Sequence, residues 1–177
     1  MNKERPSISL PPFPELVWTG YVWEGEVTLP AWRRFIVLGG DFVLSVDSRS
    51  KQEAIPPGAE QLATFQHLLR DQTQLRETVL QAIFADYPRL RECYGDFPRP
   101  ENMPEISNHE ELLRLIKLNT VHIMSNQKDG LTRLGFQFSC KWDEEHGLGV
   151  STHLGKVVAM GGADEAFSDY YPALDKY

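Results

Sequence analysis

Cysteine is scarce: two residues in 177, Cys93 and Cys140, with no Cys-x-x-Cys spacing. The two could pair in an oxidising compartment, but the expected reading is two isolated thiols, as in a reducing cytoplasm. Long apolar runs are absent too, and none reaches the roughly 18 residues that a membrane helix needs. The opening Met1-Asn2-Lys3-Glu4-Arg5-Pro6 leads into Pro11-Pro12-Phe13-Pro14 and not into an apolar core, so no signal peptide is expected. Cytoplasmic location and no membrane association follow as expectations. H-E-x-x-H, G-x-S-x-G and G-x-x-x-x-G-K-S/T do not occur, and the glycine pairs at 39–40 and 161–162 lack dinucleotide-binding spacing. An ordinary hydrolase, kinase or dehydrogenase is disfavoured, enzymatic activity is not expected, and no cofactor is called for.

What the chain does have is charge of one sign at one end. Its formal net charge is -7. Acids and bases nearly balance up to residue 141. Residues 142–177 then carry Asp143, Glu144, Glu145, Asp164, Glu165, Asp169 and Asp175 against only Lys156 and Lys176. A one-sided negative field repels nucleic acid and favours basic proteins or metal ions, and it also serves simply to keep a chain soluble.

Patterning divides the chain into an N-terminal β region, a helix and a C-terminal β region. Leu16–Trp23 and Glu26–Leu29 read as a hairpin around Glu24-Gly25, and Arg34–Leu38 and Phe42–Val46 as a second around Gly39-Gly40. Ile55-Pro56-Pro57-Gly58 is a break. From residue 59 to 87 the period changes: Leu62, Phe65, Leu69, Leu80, Ile83, Phe84 and Tyr87 fall on one helical face. Gln72 interrupts that stripe and marks residues 71–73 as the place for a break. Ser107-Asn108-His109-Glu110 has capping-box form before a short helix to about Ile116, and Thr120–Met124 reads as a strand before a turn at 126–130. Leu134, Phe136, Phe138, Cys140 and Trp142 then alternate with smaller or polar residues, a period of two that fixes which face is buried. With returns at Leu148–Val150 and Val157–Met160, residues 134–162 form an antiparallel meander.

The expected architecture is a single α+β domain over residues 15–167. Its antiparallel sheet is built from the N-terminal hairpins and the C-terminal meander, packed against one long and one short helix. A flexible proline-rich arm (1–14) precedes it and an acidic tail (168–177) follows.

The densest functional group is Asp143-Glu144-Glu145-His146-Gly147, expected in the first turn of the meander. Three carboxylates beside an imidazole can bind a partner, hold a divalent cation (Asp143, Glu145 and His146 being the candidate ligands) or supply an acid and a base. The structural alternative is an exposed hairpin loop in which Asp143 caps backbone amides and Gly147 adopts a positive φ. His153 falls at the opposite end of its strand from His146, which argues against a shared metal site. His122 reads as a strand-face residue, His109 as exposed at a helix start, and His67 as lying on the helix's polar side.

The run Trp142-Asp-Glu-Glu-His146-Gly147-Leu-Gly149-Val150, with Gly155-Lys-Val157 and Gly161-Gly-Ala-Asp164, resembles a group of bacterial domains of unknown function. These carry a C-terminal W-D-x-E-H-G-L-G-V hairpin motif, in which Trp142, Gly147 and Gly149 are the structural positions. The resemblance covers residues 134–165, and some members resemble immunity proteins found beside secreted toxins. It implies a stand-alone module. Together with the acidic C-terminal third it points to a protein-binding role whose partner is a basic protein such as a toxin. A structural homodimer whose sheet edge pairs with its copy is the alternative expectation. The resemblance supplies no catalytic residues.

Overall fold

The computed structural model describes residues 5–35, 41–50, 52–94 and 100–168. Eight strands form one sheet in which spatial order is chain order. They are β1 (Ser7–Ile8), β2 (Leu16–Trp18), β3 (Val22–Val27), β4 (Phe42–Asp47), β5 (Ile116–Lys128), β6 (Leu131–Cys140), β7 (Asp143–His153) and β8 (Lys156–Gly161). All neighbours are antiparallel except β4 and β5, which run parallel. Parallel neighbours cannot be joined by a hairpin, and the crossover here is made through the long helix α1 (Ala59–Tyr94). With a short 3-10 helix at His109–Arg114, this is an α+β arrangement.

Strand alternation sends one set of side chains into a core shared with α1. Trp23, Val46, Ile123 and Leu134 are cross-strand partners in sequence, and so are Leu44, Val121, Phe136 and Val150; all eight are buried. From α1, Phe65, Leu68, Leu75, Val79, Leu80, Ile83 and Tyr87 meet them. Thr64 is the polar link: its Oγ1 accepts the Thr132 amide at 2.8 Å, so the helix is hydrogen-bonded to β6 inside the core.

Several local expectations are revised. Within the proline-rich segment Ser7–Ile8 form β1, which pairs with β2, and the Phe13 ring stacks 4.6 Å from Phe65. Arg34 and Phe35 belong to a 3-10 helix, Pro30–Phe35, and not to a strand; residues 36–40 lie outside the described residues. Proline is preorganised for a helical start, and the i,i+3 pair Trp32 and Phe35 can then turn inward together, Trp32 stacking 5.0 Å from Phe136. Helix α1 continues past Pro88 to Tyr94, and its non-helical residue is Asp71. Beside it, Gln72 Nε2 donates to the Leu69 carbonyl and Gln72 Oε1 accepts the Ala31 amide, which ties the kink to the 3-10 helix. The expected capping box is displaced by one residue: Glu111, not Glu110, accepts the Ser107 amide and the Asn108 side chain. Strand β5 runs further in both directions than Thr120–Met124. The turn that follows it shrinks to Asp129-Gly130, both at positive φ, the geometry of a tight hairpin.

After β8 the chain doubles back across the sheet face opposite α1, through a 3-10 helix at Ala163–Ala166. It rests there on bare backbone. A Cβ placed on Gly135 would stand 1.6 Å from the Ala166 carbonyl oxygen, and one on Gly149 would stand 2.5 Å from the Gly162 oxygen. Ser151 Oγ donates to the Glu165 carbonyl between them. Gly135→Ala and Gly149→Ala are each expected to cost about 1–3 kcal/mol through forced displacement of this roof segment. Urea unfolding measures that cost, and unchanged midpoints for both variants would contradict the close approach.

Candidate functional site

The expected loop Asp143–Gly147 is a strand irregularity and not a hairpin tip. The turn lies earlier, at Lys141-Trp142, and Asp143 already pairs with Cys140. The next pair is Phe138 with Leu148, so residues 144–147 bulge opposite the single residue Ser139. Gly147 closes the bulge at φ 63, where a Cβ would also stand 2.6 Å from the Phe138 oxygen. A β-bulge re-aims a strand without ending its pairing, which turns in a sequence do not distinguish from a loop.

Most of this motif is committed to holding the bulge. Trp142 is buried edge-on against Tyr87, with ring centroids 5.8 Å apart. Asp143 Oδ2 accepts the Tyr94 hydroxyl at 2.7 Å, and Oδ1 accepts the His146 amide at 2.9 Å and lies 3.0 Å from His146 Nδ1. Burial works against the charge on Asp143. The His146 amide, the Tyr94 hydroxyl and the His146 ring outweigh it and hold the carboxyl below its ordinary range. Both oxygens are therefore engaged within the protein. Cys140 is buried, and burial pushes its thiol up to about 12, so it is no nucleophile at neutral pH. Cys140 and the exposed Cys93 are both free. Glu144 and Glu145 are exposed, but Glu144 lines a shallow cleft with Arg114, Lys117 and Lys141 that offsets its field. Of the candidate metal ligands, Asp143 and His146 are brought together, and Glu145 has no hydrogen bond or ion pair among the described residues.

A different trio gathers at the α1 surface. Ligand atoms of Glu77, His109 and Glu110 lie within 4.8 Å of one another. A cation is already there: Arg76 Nη2 contacts Glu77 and lies 3.7 Å from Glu110, and Arg34 bonds the same Glu110 at 3.1 Å. This is a charge-balanced network joining α1 to the 3-10 helices on either side of it.

A further concavity lies on the sheet face opposite α1, assembled from segments that no local sequence pattern brings together. Glu24, Ser45, His122, Gly135 and Ser151 form one cross-strand row from β3 to β7. The roof covers Gly135 and Ser151 and reaches His122, where the Phe167 ring lies 5.1 Å from the imidazole. Beyond that edge no described residue covers the face. A groove of about 380 Å³ is lined there by Tyr21, Val22, Glu24, Ser45, Asp47, Ser48, His122, Ser125 and Phe167. No lysine or arginine is among these described residues. Tyr21 is 75% exposed, Phe167 44% and Val43, on the next row, 42%. The alternation of Val22-Glu24-Glu26 and Val43-Ser45-Asp47 against buried Trp23, Leu44 and Val46 is visible in the sequence. The parallel β4–β5 pairing that brings His122 beside Ser45 is not.

His122 Nε2 lies 2.9 Å from Gln137 Oε1, which places the neutral ring's proton on Nε2. Burial lowers the His122 pKa below its ordinary 6.5, against the pull of that hydrogen bond. Burial also lowers His153, against the pull of Asp129.

Fold and site together define a small α+β domain with an open groove on one sheet face. The chain belongs to the family described as a domain of unknown function, DUF6985, which matches residues 15–167. No curated protein matches it, and no solved structure does. No helix among the described residues is long and apolar enough to cross a membrane.

The two depressed histidines give the fold an acid-sensitive window. Below pH 6.5 the unfolded chain takes up protons that the folded chain still refuses, so stability is full above 6.5 and falls as pH drops through the folded values. Asp143, whose ordinary value is 3.8, enters only in a lower window. Urea unfolding between pH 7.5 and 5 should show the loss, and His122→Gln should reduce it, leaving the part that His153 contributes. Stability that stays level or rises on acidification would contradict this assignment.

Proposed function

We propose that this domain is a non-enzymatic protein-binding module that engages a basic partner through the sheet face opposite α1. The observation that carries the reading is the composition of that face: exposed Tyr21, Val43 and Phe167 beside Glu24, Glu26 and Asp47. Exposed apolar and aromatic side chains with a charged rim are what an interface core and its margin require. The sign of the rim selects a basic protein and disfavours nucleic acid.

The C-terminal carboxylates Glu144, Glu145, Asp164 and Glu165 add a longer-range negative field that speeds encounter, while the apolar centre holds the complex. An immunity-like role, neutralising a basic toxin, is the particular form supported by the resemblance of residues 134–165 to a group of domains of unknown function of which some members resemble immunity proteins. The committed state of Asp143 and the arginine-filled acidic trio favour binding over metal chemistry.

The full chain used as bait in lysate of its native host should retain a basic protein in a salt-sensitive way. Val43→Asp with Phe167→Asp should weaken the purified complex at least tenfold, about 1.4 kcal/mol. Glu144→Lys with Glu145→Lys should slow association and leave dissociation unchanged. A complex indifferent to salt and to the Val43/Phe167 pair would overturn the reading.

A further inference from the structure

We infer that the groove beside His122 is the seat for a single arginine side chain of the partner. This rests on the protein-binding reading and names the anchor within it. The groove's size comes first: at about 380 Å³ it lies near the lower limit of ligand sites, room for one long side chain and not for a large cofactor. Its walls come next. Tyr21 is an aromatic ring left largely open to solvent and Phe167 one left nearly half open beside His122, and aromatic faces stack on a planar guanidinium. Its charge comes last. Glu24 and Asp47 line the same groove, and Glu24 has no hydrogen bond or ion pair among the described residues.

A guanidinium offers a planar fork of donors that the Glu24 carboxylate and a serine hydroxyl can share, whereas an ammonium is a compact point charge that stays better hydrated. Ser45, buried in the floor beside His122, supplies that hydroxyl. His122 is neutral at pH 7 and hydrogen-bonded to Gln137, so it adds no positive charge that would oppose the incoming cation. Interface anchors are enriched in arginine seated in such partly enclosed pockets, which fits the basic partner proposed above.

The test uses the full chain and a defined probe, N-acetyl-arginine N-methylamide, titrated while NMR follows the ring signals of Tyr21, His122 and Phe167. Saturable shifts at these three rings are expected at millimolar probe. The citrulline analogue, isosteric but uncharged, should bind about tenfold more weakly, and Glu24→Gln should weaken the arginine probe by a similar factor. Equal binding of citrulline, stronger binding of the lysine analogue, or no ring shifts up to 50 mM probe, a concentration set by about the weakest useful anchor, would each overturn the inference. A dimer of this chain that Tyr21→Ala abolishes would put a second copy in the groove and overturn it as well. The two proposals fail separately. A partner complex that survives Glu24→Gln unchanged but is lost with the Val43/Phe167 pair removes the arginine seat and leaves the binding face intact.

Discussion

The outer face of this domain depends on two glycines. Gly135 in β6 and Gly149 in β7 have no side chain, so the Gly162–Phe167 segment can lie directly on the sheet backbone. Any Cβ there would occupy the space of a carbonyl oxygen, and the segment would have to lift. Because it lies flat, the segment brings Phe167 beside the His122 imidazole. The groove exists because, among the described residues, the sheet is covered over β6 and β7 and bare over β3 and β4. Close packing at one end thus creates the concavity at the other.

The same constraint explains the most distinctive stretch of the chain. Trp142-Asp-Glu-Glu-His-Gly-Leu-Gly-Val reads as a reactive cluster, yet most of its members are structural. Trp142 fills the core beside Tyr87, Asp143 is held by Tyr94 at the end of α1, Gly147 closes a bulge, and Gly149 makes way for the roof. Glu144 and Glu145 are left for solvent or a partner, and basic neighbours temper Glu144. A motif can be dense in functional side chains because it solves a packing problem, with its acids spent on backbone amides and a hydroxyl.

The sequence disclosed those features that depend on short-range periodicity. The nine-residue alternation from Leu134 foretold the core face of β6, the polar Gln72 in an apolar stripe marked the kink beside Asp71, and the mostly antiparallel α+β class followed. Features that depend on contacts distant in sequence stayed hidden. Phe35 looks like a strand residue until Pro30 starts a helical turn that carries Trp32 and Phe35 inward and Phe136 receives the indole. The Asp143 bulge looks like a hairpin loop because a turn and a bulge use the same glycine and aspartate chemistry. The groove draws on three regions, residues 21–48, 122–125 and 167, joined only by the parallel β4–β5 pairing across a helix of 36 residues. No local pattern encodes that meeting.

The central claim is that the working surface is the open face over β3 and β4, and not the acidic bulge that dominates the sequence. Hydrogen-exchange footprinting of the purified partner complex tests it most directly. Binding should slow exchange over residues 20–26, 43–48 and 122–125 and near Phe167, and leave residues 143–147 and the β8 edge as they are in the free chain. A footprint confined to residues 143–147, or to β8, would contradict the account.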